Sequence, residues 1–413
     1  MHRFEEFSTT FVQDIGKKEG AISPSITPSA SYGYGTPEIA EGIFDGSVKQ
    51  PLYARMGNPS GSQLEQMIAK MDGGVGAVVT SSGMAATSLA VMSIVSHGDE
   101  IISIGGLFGG TYALFTETLN RFGISTSFFD VDEFANIEAA ITDKTKVMFL
   151  ESVGNPNMRL PDIKRIAAMA DKHGVALIVD NTITPLSIAP LKIGADIVVY
   201  STTKIISGNA SALGGAAVFR AINENDDKFK TERYSDIHKF IKKMGKMALV
   251  ANSKKRAMRD FGMSANAFAS YLTLLGMETL PLRMDRIVQS VETIALALDE
   301  KGVKVDHPVL LKHPHHERYK KEFSDGCGTL MTIDMGTPEA AYEFLRRSKL
   351  ATITANIGDS RTLALHMAST IYSDFDEETR LFLGITPGLI RISIGLENPQ
   401  DIINDFLQAA AIK

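Results

Sequence analysis

Asp196-Ile-Val-Val-Tyr-Ser-Thr-Thr-Lys-Ile-Ile-Ser-Gly-Asn-Ala-Ser-Ala-Leu-Gly-Gly, residues 196–215, decides how the rest of the chain is read. Its apolar run, Ile197 to Tyr200, predicts a buried strand that runs into a turn-rich segment. Two hydroxyls, Ser201 and Thr203, follow at once, and then Lys204. The small residues Ser207, Gly208, Gly214 and Gly215 are expected to let the backbone approach a ligand closely. A lysine at the mouth of a buried strand is poorly solvated. Desolvation lowers the pKa of its ammonium and frees the amine to attack a carbonyl.

A second apolar strand, Val175 to Val179, ends on Asp180-Asn181-Thr182. An acid at the end of one strand and a lysine at the end of the next suit pyridoxal 5'-phosphate. The lysine holds the aldehyde as an imine, and the aspartate keeps the pyridine nitrogen protonated so that the ring accepts electrons. Each residue alone also fits a plainer role, Lys204 snorkelling to solvent and Asp180 capping a helix. The pair, with hydroxyls and glycines around the lysine, favours the cofactor.

Upstream and between these strands the pattern alternates. Strands are predicted at 100–104, 124–129, 147–150, 176–179 and 197–200, with helices at 111–121, 134–140 and 163–173 and a turn near 186–188. This describes an α/β fold, a mainly parallel central sheet with helices on both faces. Ligands gather at the carboxyl ends of such strands, and Ser82, Asn155, Asp180 and Lys204 each fall just after one. Helix 62–71, a strand over the valines before Thr80, Ser81-Ser82-Gly83-Met84 and helix 84–95 form a strand–turn–helix that offers backbone N–H groups to a phosphate. The spacing is not a dinucleotide fingerprint, which argues against a nicotinamide oxidoreductase.

With 413 residues, 44% of them hydrophobic and 22% charged, the chain supports one large core and a smaller second domain. A net charge of -6 argues against general nucleic-acid binding, and the basic cluster at Lys242, Lys243, Lys246 and Lys254 to Arg256 is read as a solvated helix face. The one cysteine, Cys327, excludes an internal disulfide and cysteine-rich zinc sites, and is read as a buried small residue. His313-Pro-His315-His316 resembles a metal cluster only superficially and is expected to be an exposed loop, with no metal. No apolar run is long enough to span a bilayer and no signal region begins the chain, so a cytoplasmic protein without membrane contact is expected.

Residues 1–60 show little periodicity and several prolines, which predicts an irregular arm lying on a neighbouring subunit. Near its end Tyr53-Ala-Arg55 places two side chains on one side of an extended segment. They suit a phosphate pair or, on local sequence alone, a surface turn closed by Asn58-Pro59. Residues 61–265 are assigned to the large domain, with a lysine-rich, partly helical insertion at 221–256. Residues 266–413 form a smaller α+β domain, with helices at 266–275, 284–298, 338–347 and 399–410 and strands at 303–305, 329–333 and 389–393. Arg391, alternating with isoleucines, either clamps a substrate carboxylate or faces solvent.

Taken together, Tyr53-Ala-Arg55-Met-Gly-Asn-Pro, Ser-Ser-Gly-Met-Ala-Ala, Gly-Gly-Thr-Tyr-Ala-Leu-Phe, Glu151-Ser-Val-Gly-Asn155-Pro-Asn, Asp180-Asn-Thr, Ser-Thr-Thr-Lys204 and Leu-Ile-Arg391-Ile-Ser-Ile-Gly-Leu-Glu resemble, in order and over nearly the whole chain, the Cys/Met-metabolism family of fold-type I pyridoxal-phosphate enzymes. The resemblance implies that Lys204 carries the cofactor and shuttles protons, Asp180 meets the ring nitrogen, and Asn155 lies near the ring hydroxyl. Ser82, Gly83, Met84, Ser201 and Thr203 correspond to the phosphate cup. Tyr53 and Arg55 would complete the cup from the neighbouring subunit, with Tyr53 also at the substrate. Arg391 would bind the α-carboxylate, with Asn356 close by. A site shared between subunits implies a homotetramer built as a dimer of dimers.

One position departs from the family. Phe108-Gly-Gly-Thr stands where Tyr-Gly-Gly-Thr is common, so stacking on the cofactor survives but the phenol that could protonate a leaving group does not. Acetate leaves without protonation more readily than a thiolate. The loop Ala355-Asn356-Ile-Gly-Asp-Ser-Arg-Thr-Leu, the 221–256 insertion and Gly-Met-Glu-Thr-Leu-Pro-Leu-Arg resemble the O-acetylhomoserine sulfhydrylase branch, although Met367 stands where proline is usual. The expected activity is therefore γ-replacement on O-acetyl-L-homoserine by sulfide or methanethiol, a step of methionine biosynthesis, with a sulfur-carrier protein as a further donor in this branch. Methionine γ-lyase is the first alternative. Cystathionine γ-synthase or γ-lyase activity is the second, although the glutamate associated with those branches is missing. A non-catalytic cofactor-binding protein is a third.

Overall fold

The computed structural model describes residues 3–15, 20–223 and 228–411. Around the 196–215 stretch lies a seven-stranded sheet of β1 (Gly76–Thr80), β2 (Glu100–Ile104), β3 (Ser125–Phe129), β4 (Thr145–Glu151), β5 (Ala176–Asp180), β6 (Ile197–Tyr200) and β7 (Gly215–Phe219). The order across it is β1-β7-β6-β5-β4-β2-β3. The neighbours from β3 to β6 run parallel, and β7 is antiparallel to both β6 and β1. The short apolar runs behave as parallel strands should, buried on both faces. Along β4, Val147 and Phe149 enter one apolar core and Met148 and Leu150 the other, all four at 0% exposure.

Because β4, β5 and β6 share a direction, their carboxyl ends meet at one edge of the sheet, with Glu151 paired to Asp180 and Asp180 to Val199. Two successive antiparallel pairings bring the end of β1 to the same edge. A buried network ties these ends together from below. Tyr200 donates to Asp72 (2.6 Å), Asn181 Nδ2 donates to the Tyr200 oxygen (3.0 Å), Thr184 donates to Asn181 Oδ1 (2.6 Å), and Ser152 shares a hydrogen bond with Thr184 (2.7 Å).

A second, five-stranded sheet holds β8 (Val305–Asp306), β9 (Leu330–Asp334), β10 (Thr352–Ile353), β11 (Leu363–His366) and β12 (Leu389–Ser393) in the order β10-β11-β12-β9-β8. Only β10 and β11 pair in parallel. Helices Pro338–Arg347 and Pro399–Ala409 cover it, their Phe344 and Phe406 rings 5.5 Å apart. The 21-residue helix Leu280–Glu300 packs against both β8 and β9. Four of its apolar positions, Ile287, Val291, Ile294 and Leu298, recur at helical spacing and are buried.

Several expectations need correction. Residues 3–15 are not part of an irregular arm on another subunit. Arg3–Asp14 is a helix whose Phe4, Phe7 and Phe11, with Ile15, enter this chain's own core beside Leu280–Glu300. Their spacing of three and four is the amphipathic pattern, hidden by the polar residues between them. From residue 20 to the helix at Pro59 the segment is extended, apart from the helix Pro37–Asp45, and it exposes Ile22 and Phe44. The predicted helix 111–121 is broken into an α turn (Gly109–Ala113), a π turn (Leu114–Thr118) and a 3-10 turn (Asn120–Phe122). Thr116 Oγ1 donates back to the Tyr112 carbonyl at 2.9 Å, a local bond that bends helices.

His313 and His315 are buried rather than exposed. His315 Nδ1 accepts from the Leu160 N–H (2.9 Å), which leaves the proton on Nε2 to donate to Asp132 (2.9 Å). The polar stretch is thus a strut between the two sheets' surroundings. Among the described residues no group of three or more His, Cys, Asp or Glu is placed to hold a metal, and no helix is long and apolar enough to cross a membrane. Cys327 is buried, and burial pushes its thiol up, away from the reactive thiolate.

Candidate active site

At the common edge of β1, β4, β5 and β6 opens a cleft of about 870 Å³, counting space continuous with solvent, a size typical of small-molecule sites. Ser82, Gly83, Met84, Phe108, Asn155, Asp180, Ser201, Thr203, Lys204 and Arg391 all line it. Tyr53 and Arg55 do not. Tyr53 is 44% exposed, Arg55 lies over its ring at 5.7 Å, and the Arg55 guanidinium donates to the Arg259 carbonyl. Asn356 is no part of the wall, yet its Oδ1 accepts from Lys204 Nζ at 2.8 Å.

Lys204 stands in a turn directly after β6. Its ammonium is lowered from its ordinary value to about 8, first by burial and then by the Arg391 charge. Asp180 ends β5 and accepts the Thr182 N–H at 2.9 Å; burial raises its pKa. A buried carboxyl in this state is stabilised by a cation brought to it, which a protonated ring nitrogen would be.

The phosphate end fits as well. Ser82 caps the helix Gly83–Met92 by accepting the Ala85 N–H (3.1 Å). The N–H groups of Gly83 and Met84 therefore have no acceptor within the helix. A Cβ at Gly83 would stand 2.5 Å from Ser201 Cβ, so the helix start and the end of β6 are pressed together at one point. Thr203 fits less well. Its hydroxyl already donates to the Gly214 carbonyl (3.0 Å) and accepts the Gly214 N–H (3.0 Å), so it has no proton to offer a phosphate. The glycines of this stretch serve chain packing rather than ligand approach. A Cβ at Gly215 would sit 2.1 Å from the Ser82 carbonyl, and one at Gly208 2.0 Å from the Arg283 guanidinium.

Arg391 reaches in from β12 of the second sheet. It is 3% exposed, and it donates to Asn155 Oδ1 and to the Ala355 carbonyl, each at 3.2 Å. Both acceptors are neutral, and burial pulls the guanidinium down to about 10. It faces the cleft, not bulk solvent. Phe108 is held by its backbone, whose N–H donates to Glu151 Oε1 at 2.6 Å.

Glu151 is the residue the sequence reasoning passed over. It lines the cleft at the end of β4, paired with Asp180, and its pKa is raised well above the ordinary value, first by burial and then by the Asp180 charge. The rule that singled out Asp180, an acid at the carboxyl end of a buried strand, applies equally to Glu151. Tyr372 was also missed. It is fully buried, and its hydroxyl donates to the Asn155 carbonyl at 3.1 Å, holding that loop. No periodicity in its surroundings points to the cleft.

Known proteins resemble the chain over nearly its whole length. The chain is 36% identical to O-acetyl-L-homoserine sulfhydrylase 1 of Thermus thermophilus over 405 aligned positions, 94% of each chain. It is 36% identical to a homocysteine synthase of Schizosaccharomyces pombe over 99% of each. A Campylobacter jejuni crystal structure described as an O-acetylhomoserine (thiol)-lyase with N'-pyridoxyl-lysine-5'-monophosphate superposes with a TM-score of 0.91 at 31% identity, covering 98% of this chain and 99% of that one. Residues 8–411 match the model of one family, Cys/Met metabolism PLP-dependent enzyme, and the chain belongs to that family.

Proposed function

We propose that the protein catalyses γ-replacement on O-acetyl-L-homoserine, exchanging acetate for sulfide to give homocysteine, or for methanethiol to give methionine. The observation that carries this reading is one cleft joining Lys204, Asp180 and Arg391 beneath a phenylalanine, Phe108, with no phenol at that wall. The relatives named as sulfhydrylases and homocysteine synthases support it.

Lys204 is the residue to bind pyridoxal phosphate covalently. Asp180 would hold the ring nitrogen, and the Ser82–Met84 helix start with Ser201 would hold the phosphate. When bound, the cofactor supplies an electron sink for negative charge at the substrate's α-carbon. Arg391 orients the substrate by its α-carboxylate, and Asn155 and the Ala355 carbonyl hold that guanidinium in place. Lys204 Nζ, freed from covalent duty, would take the proton at the α-carbon, hand it to the bound cofactor, and only then take one at the β-carbon. Acetate departs from the γ-carbon and sulfide adds there. Lys204 returns both protons, so that O-acetylhomoserine and hydrogen sulfide become homocysteine and acetic acid. Asn356 keeps Nζ directed into the cleft between these transfers. Phe108, which lines the cleft, would pack against the cofactor without supplying a proton, which suits a leaving group that needs none.

The partner subunit's Tyr53 and Arg55 would complete the phosphate cup, in a dimer that pairs into a cytoplasmic homotetramer. Their exposure in the single chain is what such sharing requires. A sulfur-carrier protein would serve as donor through the same open cleft. The decisive test gives cofactor-loaded protein O-acetylhomoserine and sulfide in one tube and L-methionine alone in another. Homocysteine and acetate in the first, with little 2-oxobutanoate in the second, support the reading. Rapid 2-oxobutanoate and methanethiol from methionine, with poor sulfide capture, assign the protein to the γ-lyases instead.

A further inference from the structure

Arg283 is a buried cation with no part in the steps above. It lies in the first turn of the helix Leu280–Glu300 and is 8% exposed. Its side chain ends on backbone carbonyls and a hydroxyl, not on a carboxylate. Nη1 donates to the Ile205 carbonyl, Nη2 to those of Ile206 (3.1 Å) and Gly276 (2.6 Å), and Nε to Thr279 Oγ1 (3.2 Å). Ile205 and Ile206 are the two residues that follow Lys204.

The backbone of this turn can be followed carbonyl by carbonyl. Ser201 O accepts from Lys204 N, Thr202 O from Ser207 N, Thr203 O from Ser207 Oγ, and Lys204 O from Gly208 N. The turn stops there, because Gly208 adopts a left-handed φ of 76°. The carbonyls of Ile205 and Ile206 are thereby left at the end of a helical turn, where buried acceptors need a partner. The Arg283 fork fills both places at once.

The surroundings are shaped to admit it. A Cβ at Gly208 would lie 2.0 Å from Arg283 Nη1, and one at Gly276 would lie 2.5 Å from the Ser207 carbonyl. Gly276 and Arg283 open and close the stretch Gly-Met-Glu-Thr-Leu-Pro-Leu-Arg, so one sequence element both makes room for the turn and caps it. From the other side Ser360 N donates to the Gly208 carbonyl (2.9 Å), and a Cβ at Gly358 would stand 2.5 Å from Ile205 N. The loop that carries Asn356, the acceptor for Lys204 Nζ, is thus docked on the same turn. The Arg283 charge is stabilised in turn by Asp359, which is itself buried.

We propose that Arg283 is a positioning residue for Lys204: it caps the turn that carries the lysine and locks that turn to the helix leading into the second domain. The proposal depends on Lys204 being the cofactor lysine, and does not depend on which amino acid is the substrate. A guanidinium is needed because two carbonyls and a third from the neighbouring helix must be met by one planar fork. A lysine at 283 would have to reach them from a single nitrogen, without the spread of that fork.

The test uses Arg283→Lys and Arg283→Met in the full-length, cofactor-loaded protein, with Lys204→Ala as the control that should lack the visible absorbance of the lysine–cofactor link. Three readouts are taken: the pH midpoint of that absorbance, kcat and KM separately for O-acetylhomoserine, and Tm. The expected result is a displaced pH midpoint and a kcat lowered roughly ten- to a hundredfold, the scale for a misplaced catalytic group, with KM changed less than about threefold. Thr279→Val, which removes the part-buried Nε contact and a long (3.4 Å) hydroxyl bond to the Gly276 carbonyl but leaves the Arg283 fork on Ile205 and Ile206, keeps the experiment decisive if the Arg283 variants fail to fold. It should move the midpoint in the same direction by a smaller amount. Folded variants with lowered Tm but a parental midpoint and kcat would overturn the proposal and leave Arg283 as a structural strut. A Thr279→Val protein indistinguishable from the parent, where the Arg283 variants do not fold, would overturn it equally. Loss of the sulfhydrylase reading would appear elsewhere, as a changed product in the parent protein.

Discussion

Arg391→Met separates binding from stability. The guanidinium is buried against two neutral oxygens, and its pKa falls from 12.5 to about 10 because of that burial. At about 1.4 kcal/mol per pH unit this corresponds to roughly 3 kcal/mol of unfavourable burial of the charged form. The folded value lies below the unfolded one, so the cost is present in full below pH about 10 and is relieved only above it. At neutral pH the substrate-free protein bears all of it. Methionine removes that cost and forfeits two long (3.2 Å) hydrogen bonds from a charged donor, worth about 1.5 kcal/mol each at the low end of their range, so the two effects nearly cancel and Tm should stay within about 4 °C of the parent. Binding is another matter. A bidentate charge-assisted pair with a carboxylate is worth about 3–5 kcal/mol, so kcat/KM for O-acetylhomoserine should fall between about 10² and 10⁴-fold. The assays are thermal unfolding of the loaded protein and initial rates over a range of substrate concentrations. A variant that unfolds far below the parent yet keeps kcat/KM within a few-fold would refute the reasoning, since Arg391 would then be holding the two sheets together and not a carboxylate.

Three further outcomes are expected. The rate at which cofactor-free protein binds pyridoxal phosphate should climb with pH through a midpoint near 8 and level off about one unit above it, because Lys204 must lose its proton to attack and its ammonium is lowered to about 8; a rate still climbing at pH 9.5 would contradict this. Glu151→Gln keeps an oxygen for the Phe108 N–H and removes the charge that burial and Asp180 already disfavour, so it should cost less than about threefold in kcat/KM, whereas Glu151→Leu should cost about tenfold or more. Equal losses in both would show that the ionised carboxylate is required. Phe108→Tyr restores a phenol to the cleft wall and should raise 2-oxobutanoate release from methionine by about tenfold or more, with the O-acetylhomoserine reaction changed much less; no gain with methionine would remove the significance of this position.

The large sheet was legible because its strands are short apolar runs separated by helix-length amphipathic segments, as at Val175–Val179 and Ile197–Tyr200. β7 was not, since Gly215-Ala-Ala-Val-Phe has small residues where a strand signal needs branched or aromatic ones. The first helix was hidden because it borrows its core from Leu280–Glu300, a contact far away in sequence. Within the site, residues that follow a strand directly could be found from spacing. Those that arrive from elsewhere could not be settled by spacing, and Arg391 and Asn356 were named through the family resemblance. Arg391 comes from the other sheet, Asn356 from a loop, and Tyr372 from a segment without regular structure. Arg283 was quoted only as part of a branch-like motif, and its acceptors, the Ile205 and Ile206 carbonyls, lie 78 and 77 residues away.

The cleft is held rigid from below and left unsatisfied from within, and the two properties depend on each other. Beneath it, Asp72, Tyr200, Asn181, Thr184 and Ser152 close a hydrogen-bonded chain that fixes the ends of β4, β5 and β6. Inside it, Lys204 and Arg391 are pulled down and Asp180 and Glu151 pushed up, each toward its neutral form. Burial is the first cause for all four. If the walls could relax, water would enter and these shifts would vanish. A ligand bearing a cationic ring nitrogen and a substrate carboxylate would give Asp180 and Arg391 the counter-charges they lack. In cofactor-loaded protein the substrate carboxylate should then raise the Arg391 pKa from about 10 toward its ordinary value, so proton uptake by this group on substrate binding is expected near pH 10 and none at pH 7, where it is already charged. Calorimetry of an unreactive substrate analogue in buffers of different ionisation enthalpy reads this directly. A binding enthalpy independent of the buffer at pH 10 would show that the substrate carboxylate does not meet Arg391.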